Sequence, residues 1–357
     1  SEVVYKDGGL YLAVPTYGEL WYKADGNDAN TKKFFEGSDV NNLTATGITK
    51  FSKAVQHLSA SGKIHMLTTY ESAENETTTM PAGKNITVLR EGTFKDASMF
   101  KITGGTFKVN APKTNSSITF DGKSLTATAN FNGGAFDVGG DSGKLELNGA
   151  SDSTRNIILQ NNRANKGAVW DSITNHGGAI YVGSQGGGVT CNNCVMKGNA
   201  SSMRGGAVCV VTGTNSFKNC TMDSNSKPYY GGAFASISID GVTKAVNTLE
   251  NCSFTNNAAR DYGGNLLLDA GTNTFTNCTI SGGSANQKGG GAYCTGATVT
   301  FEKCSIKNNK GSSYGGGINF FRTNFSNVTV SNTEISGNTA SSNGGGIYVE
   351  IYNNETK

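Results

Sequence analysis

The second half of the chain carries a two-part signal in fixed register. A short apolar strand contains Asn-Cys, and eleven residues after the cysteine comes Gly-Gly. Cys194, Cys220, Cys252, Cys278 and Cys304 are answered in this way by Gly205, Gly231, Gly263, Gly289 and Gly315. Thr333 takes the cysteine slot in the last copy, with Gly344 following. Successive Gly-Gly anchors lie 26 to 32 residues apart, from Gly177 to Gly344. A repeat of this length with strand-like and no helical periodicity implies a solenoid of stacked coils. The fold class expected is all-β, a parallel β-helix, with regular coils from about residue 177. Coils of ~27 residues stacked ~4.8 Å apart over residues 63–357 would give a rod on the order of 50 Å long.

Composition removes several alternatives. There are 49 Gly among 357 residues but no glycine at every third position, which excludes collagen. Apolar residues recur in register, which argues against disorder. The formal charge is +3, and the basic residues are scattered, so no nucleic-acid partner is expected. No run of 18 apolar residues occurs, so no membrane insertion is expected of this segment.

The first 62 residues read differently. Short apolar runs at Val3–Tyr5, Leu10–Val14 and Leu20–Tyr22 suit strands, and 24–47 is polar and turn-rich. Residues 48–60 have apolar positions at helical spacing, with Thr49 as N-cap and Gly62 beyond the end. An open β-helix end needs cover, so 48–60 reads as an N-terminal capping helix. The chain begins without Met and stops just after a fresh strand, which reads as a piece of a longer protein.

Within the regular coils the repeat reports its own cross-section. Three residues before the cysteine slot and two after it stand apolar residues such as Phe217 and Met222. Positions −3 and 0 cannot both face inward on one straight strand, so the chain must bend between them. Asn193, Asn219, Asn251 and Asn277 occupy the bend, and Asn tolerates the left-handed conformation required there. A second asparagine row (Asn199, Asn225, Asn257, Asn309, Asn338) is broken only by Gly283, and stacked amides hydrogen-bond from coil to coil. On the Gly-Gly strand the fourth and sixth positions alternate inward, which places the third and fifth outside.

These residues resemble the right-handed parallel β-helix repeats of large bacterial surface proteins. Ile335–Val349 is similar to the repeat of adhesin-like proteins of host-associated anaerobes and spirochaetes. Gly177-Gly-Ala-Ile180, Gly205-Gly-Ala-Val208 and Phe254-Thr-Asn-Asn257 are similar to the paired motifs of chlamydial polymorphic membrane proteins. The chain departs from them in lacking a C-terminal β-barrel, and its Phe-x-x-Asn motif mostly carries Ile or Met. The resemblance implies a non-catalytic passenger displayed on a bacterial surface or secreted, contacting a host protein or glycan such as mucin or immunoglobulin. It implies no catalytic residue, no metal and no cofactor.

The remaining motifs have bland and sharp readings. Five cysteines share one inward register, which suits buried free thiols, although adjacent coils do not forbid a vertical disulfide. Cys191-Asn-Asn-Cys194 has metal-ligand spacing but no second pair or nearby His. Cys209 falls in an outward register, which marks it as the reactive thiol. Eleven Asn-x-Ser/Thr sequons occur in a chain rich in those residues; Asn219, Asn251 and Asn277 lie in the ladder, and Asn324 and Asn354 elsewhere. They read as chance. Polysaccharide-active enzymes on this fold need clustered carboxylates. The best candidates, Asp137 with Asp141 and Arg260 with Asp261, read as solvated turn charges, and His57, His65 and His176 are scattered. Tyr181, Tyr230, Tyr262, Tyr293, Tyr314 and Tyr348 fall beside the Gly-Gly strand, which suits either a ligand-binding face or a stack that stabilises the coils. Three functions stay open: an adhesin passenger, a polysaccharide-active enzyme and a structural spacer. The chain is expected to be monomeric or weakly self-associating.

Overall fold

In a computed structural model the chain is described over residues 2–6, 9–13, 15–23, 33–92, 94–151, 154–164, 174–226, 228–241, 245–322 and 327–350. Asn324 and Asn354 lie outside these. The regular coils are parallel throughout, each strand pairing with its equivalent one coil on. Val208–Val210 pairs with Phe234–Ser236, and that strand with Leu266–Leu268. Each coil contributes three main strands, which build three long walls, and several add a short fourth, such as Ala258–Ala259 paired with Ser284–Ala285. One wall holds the Gly-Gly strands, as in Ile180–Val182 and Ala292–Cys294. The middle wall holds strands such as Thr214–Lys218 and Val246–Glu250. The third, the Asn-Cys wall, is a 13-stranded sheet that includes Thr221–Asp223 and Ser253–Thr255.

The corners follow from the expected backbone chemistry. Asn193, Asn219, Asn251 and Asn277 have φ of 55°, 55°, 53° and 52°, and Lys303 (53°) and Asn332 (49°) continue the row. The left-handed corner lets the apolar residue before it and the cysteine after it both face the core. Phe217 and Cys220, one on each side of Asn219, are fully buried. The two glycines of each anchor have separate reasons. Gly205 has φ 68°, which a side chain resists. Gly206 has an ordinary φ, but a Cβ there would lie 2.0 Å from the carbonyl oxygen of Gly232 on the next coil.

The alternation expected on the Gly-Gly strand holds at positions four, five and six and fails at position three. Ile180 and Val182 enter the main core, whereas Tyr181 belongs to a separate outer cluster. Ala179, Ala207 and Ala233 at position three are also in the main core, not outside. The turn at the glycine pair reverses the pleat, so the third residue still faces inward.

At the N-terminal end the helix is shorter than expected. It spans Phe51–His57, its N-cap is Lys50 rather than Thr49, and the cap makes no side-chain hydrogen bond. The first amides are satisfied from the next coil instead. Phe51 N donates to Tyr70 Oη (3.2 Å) and Ser52 N to the Glu76 carboxylate (2.9 Å). Phe51, Ala54 and Val55 are buried, and Phe51 meets Phe100 edge to face at 5.1 Å. Gly62 lies within the following strand, Leu58–Met66, rather than in a helix stop. That strand pairs in parallel with Tyr17–Lys23, so the stacked wall starts before residue 63. The polar segment also adds two antiparallel strands, Lys33–Glu36 and Thr44–Ile48, to the same wall. Glu2–Lys6 and Gly9–Ala13 form a separate two-stranded antiparallel sheet.

Candidate functional site

Three ladders run along the coils. The buried asparagine row is continuous, each amide donating to the next: Asn199 to Asn225 (3.0 Å), Asn225 to Asn257 (3.0 Å), Asn309 to Asn338 (2.9 Å). Each side-chain oxygen also receives a backbone amide, as Asn257 Oδ1 does from Asn225 N (2.8 Å). At the Gly283 break Asn265 crosses the gap. It accepts from Asn257 (2.8 Å) and donates to Asn309 (3.1 Å). A Cβ on residue 283 would lie 2.4 Å from the Asn265 amide nitrogen, so the glycine makes room for the bridge. The corner asparagines bond likewise, Asn219 to Asn193 (3.0 Å), Asn251 to Asn219 (3.2 Å) and Asn277 to Asn251 (2.7 Å). A further buried run, Asn215, Asn247 and Asn273, was not anticipated. Its signal was a polar set five residues before the cysteine slot in three consecutive coils, with Val189 before it and Val299 and Val328 after it.

All eight cysteines are buried free thiols. Each of the five in register donates to two carbonyls. Cys252 Sγ meets Phe217 O and Glu250 O, both at 3.3 Å. Thr333 reproduces the pattern in the last coil, with Phe301 O at 3.2 Å and Ser331 O at 2.9 Å. The neighbouring thiol first, and burial after it, push Cys252 and Cys278 upward, away from thiolate. Cys209, expected to be reactive, is instead fully buried and pushed up to about 12 by burial. Its side chain points away from the main core, but aromatic residues roof it over.

That roof is the main feature of the outer surface. Tyr181, Cys209, Ala235, Leu267 and Tyr293 form a second apolar cluster with Val211 and Ile237, and half-buried Tyr230, Tyr262 and Phe321 pack against it. The rings stack along the rod: Tyr230 on Tyr262 (5.2 Å, 13°), Tyr262 on Tyr293 (4.7 Å, 18°), Tyr293 on Phe321 (6.0 Å, 26°). Tyr314 stacks on Tyr348 beside them (4.8 Å). Arg204 lies over Tyr230 at one end, and Lys288 over Phe321 and Tyr314 at the other. The structure therefore departs from a dotted open face. Tyr181, 7% exposed, is covered by His176, and Tyr293 is 6% exposed between neighbours. Ring faces are taken up by other rings, and the half-buried Tyr230, Tyr262, Tyr314 and Tyr348 are left to meet solvent at their edges.

Of the two candidate catalytic pairs, only Arg260 with Asp261 lies wholly within the described residues. Asp137 is raised to about 6 by burial, with Lys101 opposing. Asp269 is also raised by burial, with Arg204 opposing. Among the described residues, neither has a second carboxylate among the groups that shift it. The side chain of Asp141 lies outside the described residues. Arg260 caps the Tyr229 ring at 4.4 Å and donates to its hydroxyl (2.6 Å), with Asp261 4.0 Å away. His57 Nδ1 lies 3.1 Å from Pro15 O, and His65 sits on the Asn-Cys wall, stacked on Trp21 (4.1 Å) and 2.8 Å from Glu91. No cluster of three metal-ligating side chains occurs among the described residues. No helix among them is long and apolar enough to cross a membrane.

The stacked coils define a parallel β-helix, and comparison gives it a hand and a relationship. A family model described as a right-handed beta helix region matches residues 201–356. Residues 156–183 match the Chlamydia polymorphic membrane protein repeat. The chain is thus a right-handed parallel β-helix, one stretch of which is similar to the repeat of that membrane-protein family. No curated protein and no solved structure matches it.

Proposed function

We propose that the chain is a non-catalytic passenger, displayed on a bacterial surface or secreted, that binds a host protein or glycan along the outer side of its Gly-Gly wall. The observation that carries this is the second apolar cluster with its roof of stacked rings. The main core already closes each coil, yet an additional column of Tyr230, Tyr262, Tyr293 and Phe321 is built outside it and flanked by Arg204 and Lys288. A strip of aromatic edges, phenolic hydroxyls and a few cations matches the composition of protein docking surfaces. The polymorphic membrane protein repeat supports display at a surface.

Among the described residues no second carboxylate shifts Asp137 or Asp269, which weighs against two-carboxylate hydrolysis, a reaction that needs both groups at one bond. A pure spacer would use the outer column only as a stack that stabilises the coils, with no need of the cations at its two ends. The test is retention of host mucus and serum components by the purified chain, beside a glycan array, for wild type and Tyr230→Ser/Tyr262→Ser. A ligand retained by wild type and lost in the double variant supports the reading. Equal retention by both, or none by either, refutes it.

A further inference from the structure

The row that faces outward at position five runs Leu267, Tyr293, Asn319, Tyr348 in register along four coils. Asn319 is the exception in it. Its side chain is fully buried, and neither Nδ2 nor Oδ1 has a hydrogen-bond partner. The other buried asparagines of the coils carry ladder bonds, so an orphaned amide here stands out. Its surroundings are polar at the rim and aromatic at the walls. Tyr293 precedes it and Tyr348 follows it in register. Lys288, on the preceding coil, reaches across to Tyr314 and Phe321 on either side of Asn319 in sequence and bonds Glu350 at 2.8 Å.

We infer that Asn319 is the floor of a subsite for a neutral saccharide, closed in the free protein by the Lys288–Glu350 pair. This rests on the reading of the outer column as the binding surface. The chemistry selects the class. An amide offers one donor and one acceptor side by side, the complement of two adjacent hydroxyls. Lys288 and Glu350 offer a second donor and acceptor once their mutual bond opens. Both are partly exposed, at 18% and 31% of the side chain, and opening the pair also draws Lys288 off the Tyr314 and Phe321 rings. The half-buried Tyr348, stacked on Tyr314 by one face, supplies its other face as an apolar wall for the C–H face of a sugar ring. An acidic saccharide meets Glu350 unfavourably, and an apolar peptide side chain leaves the amide unpaired.

The test compares wild type, Asn319→Ala and Tyr230→Ser/Tyr262→Ser on an array carrying neutral and acidic saccharides, with melting temperatures measured in parallel. Alanine already stands in this row as Ala235, so the Asn319→Ala chain is expected to fold and to melt no lower than wild type. The expected result is a neutral saccharide bound by wild type and bound at least tenfold more weakly by Asn319→Ala. Asn319→Asp, which keeps the acceptor but loses the donor, is expected to bind weakly too. Equal binding by Asn319→Ala overturns the subsite; if the tyrosine variant loses that ligand, the binding face stands. Retention only of acidic saccharides or of proteins overturns the subsite and leaves the face. Retention of nothing overturns both.

Discussion

Replacing Asn225 by alanine isolates what the buried amide ladder contributes. Asn225 is 0% exposed. Its oxygen accepts from Asn199 N (2.9 Å) and Asn199 Nδ2 (3.0 Å), and its nitrogen donates to Met196 O (3.0 Å) and Asn257 Oδ1 (3.0 Å). Alanine deletes all four. At roughly 1 kcal/mol net per bond the loss is about 4 kcal/mol, and stranding the buried Asn199 N–H adds about 1 more. The matched control is Asn338→Ala in the last coil. Asn338 accepts from Asn309 N and Nδ2 (both 2.9 Å) and donates to Ile306 O (2.8 Å), but it is half-buried and water can replace it. There the cost should be about 1 kcal/mol. Urea unfolding followed by circular dichroism reads both, with an unchanged slope required for the midpoints to be compared. Equal costs for the two variants, or less than about 1 kcal/mol for Asn225→Ala, would refute the argument that burial makes the ladder decisive.

The remaining predictions concern other residues of the same scaffold. Gly283→Ala should destabilise by roughly 1–3 kcal/mol, and Asn265→Ala should rescue it only in part, because the new Cβ also meets Gly290 O at 2.3 Å; thermal melts of the single and double variants decide. Cys278→Thr should cost less than about 1.5 kcal/mol, since Thr333 already makes the same carbonyl bonds, and none of the eight thiols should react with a thiol reagent until urea is added. The Asp137 carboxyl, raised from 3.8 to about 6, is protonated more readily in the fold than in the open chain. Its penalty is therefore absent below pH 3.8, grows as pH rises and is complete above about 6. Asp137→Asn should thus raise stability at pH 8 by up to about 3 kcal/mol and leave it unchanged at pH 3, as pH-dependent melts would read. Glu76→Ala should destabilise by about 2 kcal/mol, because it strips both Ser52 N and Tyr70 Oη of their acceptor; a melt unchanged from wild type would contradict this.

The sequence made the corners legible because they depend on single residues. A left-handed backbone favours Asn or Gly, and although Lys303 stands in one corner, the asparagine corners and the first glycine of each pair marked themselves. The inward rows were legible by alternation. What escaped depended on contacts between coils. Position three faces inward because the glycine turn resets the pleat, which alternation counted from the strand cannot register. The helix entry escaped because its acceptors, Tyr70 and Glu76, come from a later coil and mimic no local cap motif. On the outer face alternation reads a residue that points away from the core as exposed, but Tyr230 and Tyr262 pack against the cluster of Cys209, Ala235 and Leu267 and make a second interior. Asn319 and Lys288 passed unnoticed because an isolated polar residue in a row of tyrosines gives no periodic signal.

The central claim is that the outer side of the Gly-Gly wall is where this β-helix meets its partner. Hydroxyl-radical footprinting of the folded chain, with and without host mucin and with and without serum, tests it directly. The account requires at least one of these to protect Tyr230, Tyr262 and Tyr314, while Met222 and Phe254, inside the Asn-Cys wall, stay equally unreactive throughout. Protection confined to exposed residues of the Asn-Cys wall, such as Lys197, or no protection anywhere, would contradict it.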